Sequence, residues 1–185
     1  DPKDDFGTNP CSEIILRSRE FCNLSEIVVR REDTRESLKE KVRSATILGT
    51  FQSTLTEFKY LSREWKRNCD EERLLGVSLT GIMDNPITNG TRGGLSKLLE
   101  ELRDIAYETN KEWSEKLGIP TSAAITCVKP SGTVSQLVDS ASGIHARHNP
   151  FYIRTVRADN KDPLCKLMQE MGFPNEVDVT KPEHT

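Results

Sequence analysis

The order of periodic segments predicts an α/β fold in which parallel strands are joined by helical crossovers. Three observations carry that prediction. Short apolar runs bounded by turn formers alternate with long amphipathic segments, strand then helix, along most of the chain. Two of the runs, Leu74–Ile82 and Ala123–Val128, read as buried strands. Each is followed at once by a polar turn, at Asp84-Asn85-Pro86 and at Lys129-Pro130, and parallel strands put such turns on one edge, where α/β folds hold ligands.

The elements follow in order. Up to about Arg31 the chain is rich in β-branched residues and turn formers, and Glu13–Leu16 and Glu26–Val29 read as short extended pieces. A long helix comes next, with Asp33 as its N-cap and Glu36, three residues on, completing a capping box. Leu38, Val42, Ala45, Leu48, Phe51, Leu55, Phe58 and Leu61 recur at spacings of three and four, which puts them on one face as far as a stop at Asn68. A second amphipathic helix carries Leu95, Leu98, Leu102, Ile105, Ala106, Trp113 and Leu117. Gly118 suits a left-handed cap there, and Pro120 blocks continuation. After Ala123–Val128 a Pro-Ser-Gly-Thr turn at Pro130–Thr133 opens a helix. Ile153–Val156 is a weaker strand candidate, and Pro163–Met171 is a short helix ended by Gly172.

Composition narrows the function classes. A net charge of -3 gives no general attraction to nucleic acid or to an anionic membrane, so any phosphate binding must be local. No stretch approaches the roughly 18–20 apolar residues of a membrane helix. Asp1–Asp5 lacks the apolar core of a signal peptide, and without an initiator Met the chain is expected to begin inside a longer polypeptide. The five cysteines, Cys11, Cys22, Cys69, Cys127 and Cys165, are odd in number and irregularly spaced, which argues for the reducing cytoplasm. No CxxC pair or Cys/His cluster suggests structural zinc. Cys69, among charges, is expected to be exposed, and Cys127 to be buried.

Chemistry concentrates in Asn9-Pro10-Cys11-Ser12-Glu13-Ile14. A thiol can be oxidised, a carboxylate two residues away can move protons, and an amide on the other flank can orient a hydroxyl. In an extended segment residues i, i+2 and i+4 share a face, so Asn9, Cys11 and Glu13 would point at one substrate. The competing reading is an ordinary thiol beside a solvated charge. A second stretch, Lys129-Pro130-Ser131-Gly132-Thr133-Val134-Ser135, offers unpaired backbone N–H groups, a glycine that permits close approach and two hydroxyls. Alone it is equally a common helix cap, and it is not a Walker loop.

Together these two stretches resemble ribonucleotide reductases of the adenosylcobalamin-dependent type. Asn9–Ile14 is similar to that family's finger-loop signature, and Lys129–Gln136 to its substrate-phosphate loop. Cys22, eleven residues after Cys11 in Cys22-Asn23-Leu24, matches the spacing of the cobalamin-dependent branch. Gly76–Asp84 resembles a barrel strand beside the family's active site.

The resemblance implies a fold, a reaction and a set of roles. Residues 1–185 would be the C-terminal portion of a ten-stranded α/β barrel, with the cysteine on an inner finger loop. Cys11 would become a thiyl radical, Glu13 would take the 3′-hydroxyl proton, Asn9 would orient the hydroxyls, and Cys22 would be half of a dithiol that ends as a disulfide, its partner lying upstream. Pro130, Ser131, Gly132, Thr133 and Val134 would bind the substrate's phosphates. The reaction would reduce ribonucleotides, triphosphates in preference to diphosphates, to 2′-deoxyribonucleotides for DNA synthesis. Adenosylcobalamin would supply the radical that oxidises Cys11, and a thioredoxin-type reductant would restore the dithiol. The N-terminal portion of the same enzyme is expected as a partner, without which the chain should not turn over. Two alternatives stay open: a piece of a di-iron-dependent large subunit, and a non-catalytic nucleotide-binding or assembly fragment.

Overall fold

The structure, a computed structural model, describes residues 5–185. The opening Asp1–Asp4, read above for its lack of a leader core, lies outside the described residues. The chain divides into two compact units, one ending at Arg147 and one comprising His148–Thr185.

In the first unit, strands β1 (Phe6–Thr8) and β2 (Ile15–Arg17) pair antiparallel, with Phe6 opposite Arg17 and Thr8 opposite Ile15. Strand β3 (Asn23–Val28) is followed by helices α1 (Arg35–Gln52) and α2 (Arg63–Glu72). Strand β4 (Leu75–Thr80) pairs parallel with β3, from Asn23 opposite Leu75 to Val28 opposite Thr80. Helix α3 (Leu95–Leu117) leads back to the sheet, where Thr126 bridges Val77, again in parallel. The α/β class and the parallel strands are therefore as expected.

The core lies between this sheet and the two long helices. Ile27 and Val29 from the β3 segment, Leu75 and Val77 from β4, and Ile125 meet Leu38 and Val42 of α1 and Leu98, Leu102 and Ala106 of α3. Full burial of a Val or Leu side chain contributes roughly 1.5–3 kcal/mol each, which is why these short strands hold. Helix α3 ends as its sequence predicts: Gly118 has φ +66°, and its N–H closes the last turn.

The long helix read from Asp33 to Asn68 is two helices. Ser53 Oγ donates to the Thr50 carbonyl at 2.7 Å and Thr54 Oγ1 to that of Phe51 at 2.7 Å, so side-chain hydroxyls satisfy the last turn and the helix stops. Leu55, counted on the apolar face, is exposed. The N-cap is Thr34, not Asp33, and its reciprocal partner is Ser37, not Glu36. Asp33 is engaged elsewhere: it accepts from the Arg30 N–H at 2.7 Å, Ser37 Oγ at 2.8 Å and Lys41 Nζ at 2.5 Å.

Residues 123–128 form less of a strand than their apolarity suggests. Leu75 N–H donates to Ala124 and Val77 N–H to Ile125, but among the described residues Val77–Thr126 is the single bridge on that side. Between Thr133 and Leu137 the chain forms the short helix α4.

The second unit contains helix α5 (Pro163–Glu170), begun by Asp162, whose carboxylate accepts from Leu164 N–H at 2.7 Å. Gly172 follows it at φ +76°. Ile153–Val156, read as a weak strand, is not one: Ile153 and Val156 are exposed, and the pairing in this unit is a single antiparallel bridge, Asp159 to His184. Among the described residues no helix is long and apolar enough to cross a membrane.

Candidate active site

The cysteine stretch is the tip of the β1–β2 hairpin. Asn9 Oδ1 accepts from the Ile14 N–H at 3.1 Å, Asn9 N–H donates to the Ile14 carbonyl at 3.3 Å, and Ser12 N–H donates to the Asn9 carbonyl at 2.9 Å. Ser12 adopts φ +61°. The segment is thus a tight turn, and Asn9, Cys11 and Glu13 do not line one face of an extended strand. Instead Cys11 is exposed at the tip, while the Glu13 side chain turns inward and is only 3% exposed.

The hairpin is footed on α2 through Arg17. Its guanidinium donates to Glu71 at 3.0 Å and to the Asn68 carbonyl at 3.1 Å, and pairs with Glu72 at 2.9 Å. Buried Glu20 accepts from the Arg17 N–H at 2.8 Å. Cys69 is buried here, contrary to expectation, because α2 turns it toward the hairpin's exit, where its sulfur accepts from the Phe21 N–H at 3.4 Å.

Glu13 faces Lys129. The Lys129 Nζ lies 3.1 Å from Glu13 Oε1, joining stretches 116 residues apart. Glu13 Oε2 is buried and has no hydrogen-bond partner of normal geometry among the described residues. Desolvation drives the Glu13 carboxyl upward, but its own backbone N–H, the Asn9 side chain and Lys129 together hold it below its usual value. Lys129 is raised: burial opposes its charge, but the bond to Glu13 outweighs that, and Cys11 and Cys127 also act on it.

Lys129 opens the expected phosphate turn. The Val77–Thr126 register brings it level with Thr80, the last residue of β4, so the two loops do share one edge of the sheet. Ser131 is buried and its Oγ has no partner among the described residues, whereas Pro130, Gly132, Thr133 and Val134 are exposed. Ser135 Oγ braces the turn by donating to the Gly132 carbonyl at 2.8 Å. A second loop backs it. Gly143 N–H donates to Thr80 Oγ1 at 2.8 Å, Thr80 Oγ1 donates to the Ala141 carbonyl at 3.1 Å, and Ser142 Oγ bonds the Ser131 carbonyl. Asp84 accepts from Ala141 N–H at 2.8 Å and pairs with Arg147 at 3.0 Å. His145 bonds within its own loop, to the Ser142 carbonyl, so this loop acts as a brace.

Cys22 lies at the start of β3, near Cys127. A Cβ added to Gly76 would sit 3.3 Å from the Cys22 sulfur and 3.1 Å from that of Cys127, so both thiols occupy the space a glycine leaves on β4. Desolvation, then Cys127, Glu13 and Glu20, push the Cys22 thiol up to about 12. Burial and Glu13 push Cys127 up to about 11. Both are half-buried, so Cys127 is more accessible than its apolar neighbours suggested. Its proximity to Cys22, and the hold of Lys129 on Glu13, are the two features of the site that sequence reasoning missed. Neither has a signal in local spacing, since each joins residues more than a hundred positions apart.

Against known proteins, this stretch is 32% identical over 180 residues to the adenosylcobalamin-dependent ribonucleoside-triphosphate reductase of Euglena gracilis, covering 97% of this chain and 24% of that protein. It is 28% identical over 208 residues to the reductase of the same name from Lactobacillus gasseri, covering 97% of this chain and 27% of that protein. This chain is a homologue of the adenosylcobalamin-dependent ribonucleotide reductases. It spans about a quarter of the length of the curated reductases it matches. A crystal structure of a B12-dependent (class II) ribonucleotide reductase superposes with a TM-score of 0.69 at 24% identity, over 96% of this chain and 28% of that reductase, a likeness of fold. No family model matches the chain.

Proposed function

We propose that this chain supplies the radical-cysteine loop and the phosphate turn of an adenosylcobalamin-dependent ribonucleotide reductase that converts ribonucleotides, triphosphates in preference, to 2′-deoxyribonucleotides. The observation that carries the reading is the Glu13–Lys129 pair, which brings the cysteine loop and the phosphate turn to one place. The fold proposed for the complete enzyme is the ten-stranded α/β barrel, with the β1–β2 hairpin as its inner finger.

The proposed roles follow from the environments. Cys11 is exposed at a loop tip, so an oxidant and a ribose can both reach its sulfur. Loss of one hydrogen atom leaves a thiyl that takes the 3′ hydrogen of the ribose. Glu13 is held ionised with Oε2 unpartnered, a state suited to accept the 3′-hydroxyl proton. As that proton moves to Glu13, the 2′-hydroxyl takes a proton from the Cys22 thiol and leaves as water. Cys22 stays a protonated thiol at neutral pH, which keeps the hydrogen it must give. Two such thiols supply two electrons and two protons and become a disulfide, and a thioredoxin-type reductant restores them. Asn9 spends its side-chain oxygen on the turn, and its amide serves Glu13 and the substrate hydroxyls. Pro130–Val134 takes the phosphates, with the unpartnered Ser131 hydroxyl as one donor.

The fit to adenosylcobalamin rests on one group: the accessible thiol of Cys11 is what this chain offers it. When bound, the cofactor supplies the one-electron oxidation of that thiol. The rest of the enzyme is proposed as the partner that completes the cofactor site.

The test is the complete reductase with Cys11→Ala, assayed with and without adenosylcobalamin. Activity requires the cofactor and vanishes in the variant. Turnover without cobalamin would favour a di-iron partner, and turnover surviving Cys11→Ala would leave a binding module in place of a catalytic one.

A further inference from the structure

We infer that Lys129 is a positioning residue of this site: it grips Oε1 of Glu13 and leaves Oε2 without a hydrogen-bond partner among the described residues. The inference deepens the reading above and takes its catalytic meaning from it.

Burial poses a problem that the Glu13 backbone N–H, the Asn9 side chain and Lys129 offset together, and Lys129 brings the charge. A carboxylate with a 3% exposed side chain has lost nearly all its hydration, and an isolated buried carboxylate takes up a proton. The groups facing Glu13 are the Asn9 amide from its own hairpin, Cys22 from the start of β3, and Cys127 and Lys129 from the segment before the turn, while the Cys11 thiol acts on Lys129. Lys129 is the cation among them. Its side chain is itself only 24% exposed, so water screens the pair weakly.

The geometry divides the carboxylate's labour. Oε1 is occupied by Nζ at 3.1 Å, and buried Oε2 has no partner among the described residues. A base needs that combination, one oxygen fixing the group and one free to receive a proton. The lysine is also mechanically tied to the phosphate turn. A Cβ on Gly143 would lie 3.1 Å from the Lys129 carbonyl oxygen and 3.4 Å from the Ser131 nitrogen, so the backbone beneath Lys129 is packed hard against the bracing loop.

The test is carboxyl ¹³C NMR of this chain carrying labelled glutamate, with Glu13 assigned by its loss in Glu13→Gln. In the unaltered chain the Glu13 signal titrates at lower pH than the exposed glutamates. In Lys129→Met its midpoint moves up, and in Lys129→Arg it stays near the unaltered value. A Glu13 midpoint that coincides with the exposed glutamates in the unaltered chain, or that stays put in Lys129→Met, overturns the inference. The first of these needs no lysine variant to fold, only Glu13→Gln for the assignment. None of these signals depends on turnover, so a shifted midpoint alongside activity that survives Cys11→Ala sinks the reductase reading and leaves the lysine's hold intact. In the complete enzyme the acid limb of kcat/KM moves to higher pH in Lys129→Met and is restored in Lys129→Arg.

Discussion

Gly143 presses against Lys129: a Cβ built on the glycine would stand 3.1 Å from the lysine's carbonyl oxygen, and the glycine holds φ +53°. Both facts forbid a side chain there at low cost. Gly143→Ala is expected to lose about 1–3 kcal/mol of stability, through left-handed strain and a contact with backbone that cannot swing aside. Thermal unfolding measures the loss, and an unchanged Tm would show that the brace is slack.

Gly76 tests the thiol neighbourhood. Its added Cβ would collide with Leu24 Cδ2 and meet the sulfurs of Cys127 and Cys22 at 3.1 and 3.3 Å. Gly76→Ala should destabilise by about 1–3 kcal/mol as these side chains are forced apart. The cost should shrink in a Cys127→Ala background, because one of the crowded atoms is gone. A double-mutant cycle by urea unfolding reads the coupling, and additivity within about 0.5 kcal/mol would mean the two positions do not share this space.

Thiol trapping separates the cysteines. Cys22, raised to about 12, is thiolate at pH 8 on the order of one part in ten thousand, and it is half-buried. Cys11 is exposed at a loop tip. Iodoacetamide followed by peptide mass spectrometry should find Cys11 modified first, with Cys22 and Cys127 lagging until denaturant is added. Equal rates for Cys11 and Cys22 in the folded chain would contradict the burial described.

Asp33 gives a pH dependence of known sign. Desolvation pushes its carboxyl up, but Lys41, the Arg30 N–H and Ser37 together hold it below its usual value. A depressed carboxyl stabilises the fold above its unfolded pKa, and that stabilisation fades as pH falls through the folded value. Asp33→Asn should therefore cost stability at pH 7 and cost less in acid. Chemical unfolding at both pH values checks this; a penalty that grew toward low pH would reverse the assignment.

Much of the fold was legible because periodicity and caps agreed. In α3 the apolar spacing runs unbroken to Gly118, and the structure ends the helix there. The strand at Leu75–Thr80 is buried almost throughout, as its apolar content required. Agreement failed where hydroxyl side chains competed with the backbone. The apolar spacing from Leu38 to Leu61 continues across Ser53 and Thr54, yet their hydroxyls close off α1. In the site, the identities of Asn9, Cys11 and Glu13 pointed to the chemistry, but their alternation misled, because a turn through Ser12 at φ +61° cannot be read from residue types that favour no such φ strongly. The Lys129 contact was out of reach for a simpler reason: a pairing across 116 residues leaves no trace in local spacing.

At its base the cysteine loop is tied to α2 through the Arg17 guanidinium. Its two strands are three residues long each, too short to fix a position by their own pairing, and Arg17 bolts the returning strand to the far end of α2. The helix is therefore a lever for the loop. A sideways shift of α2, from whatever pushes on its outer face, would be delivered through that bolt to the sulfur at the tip.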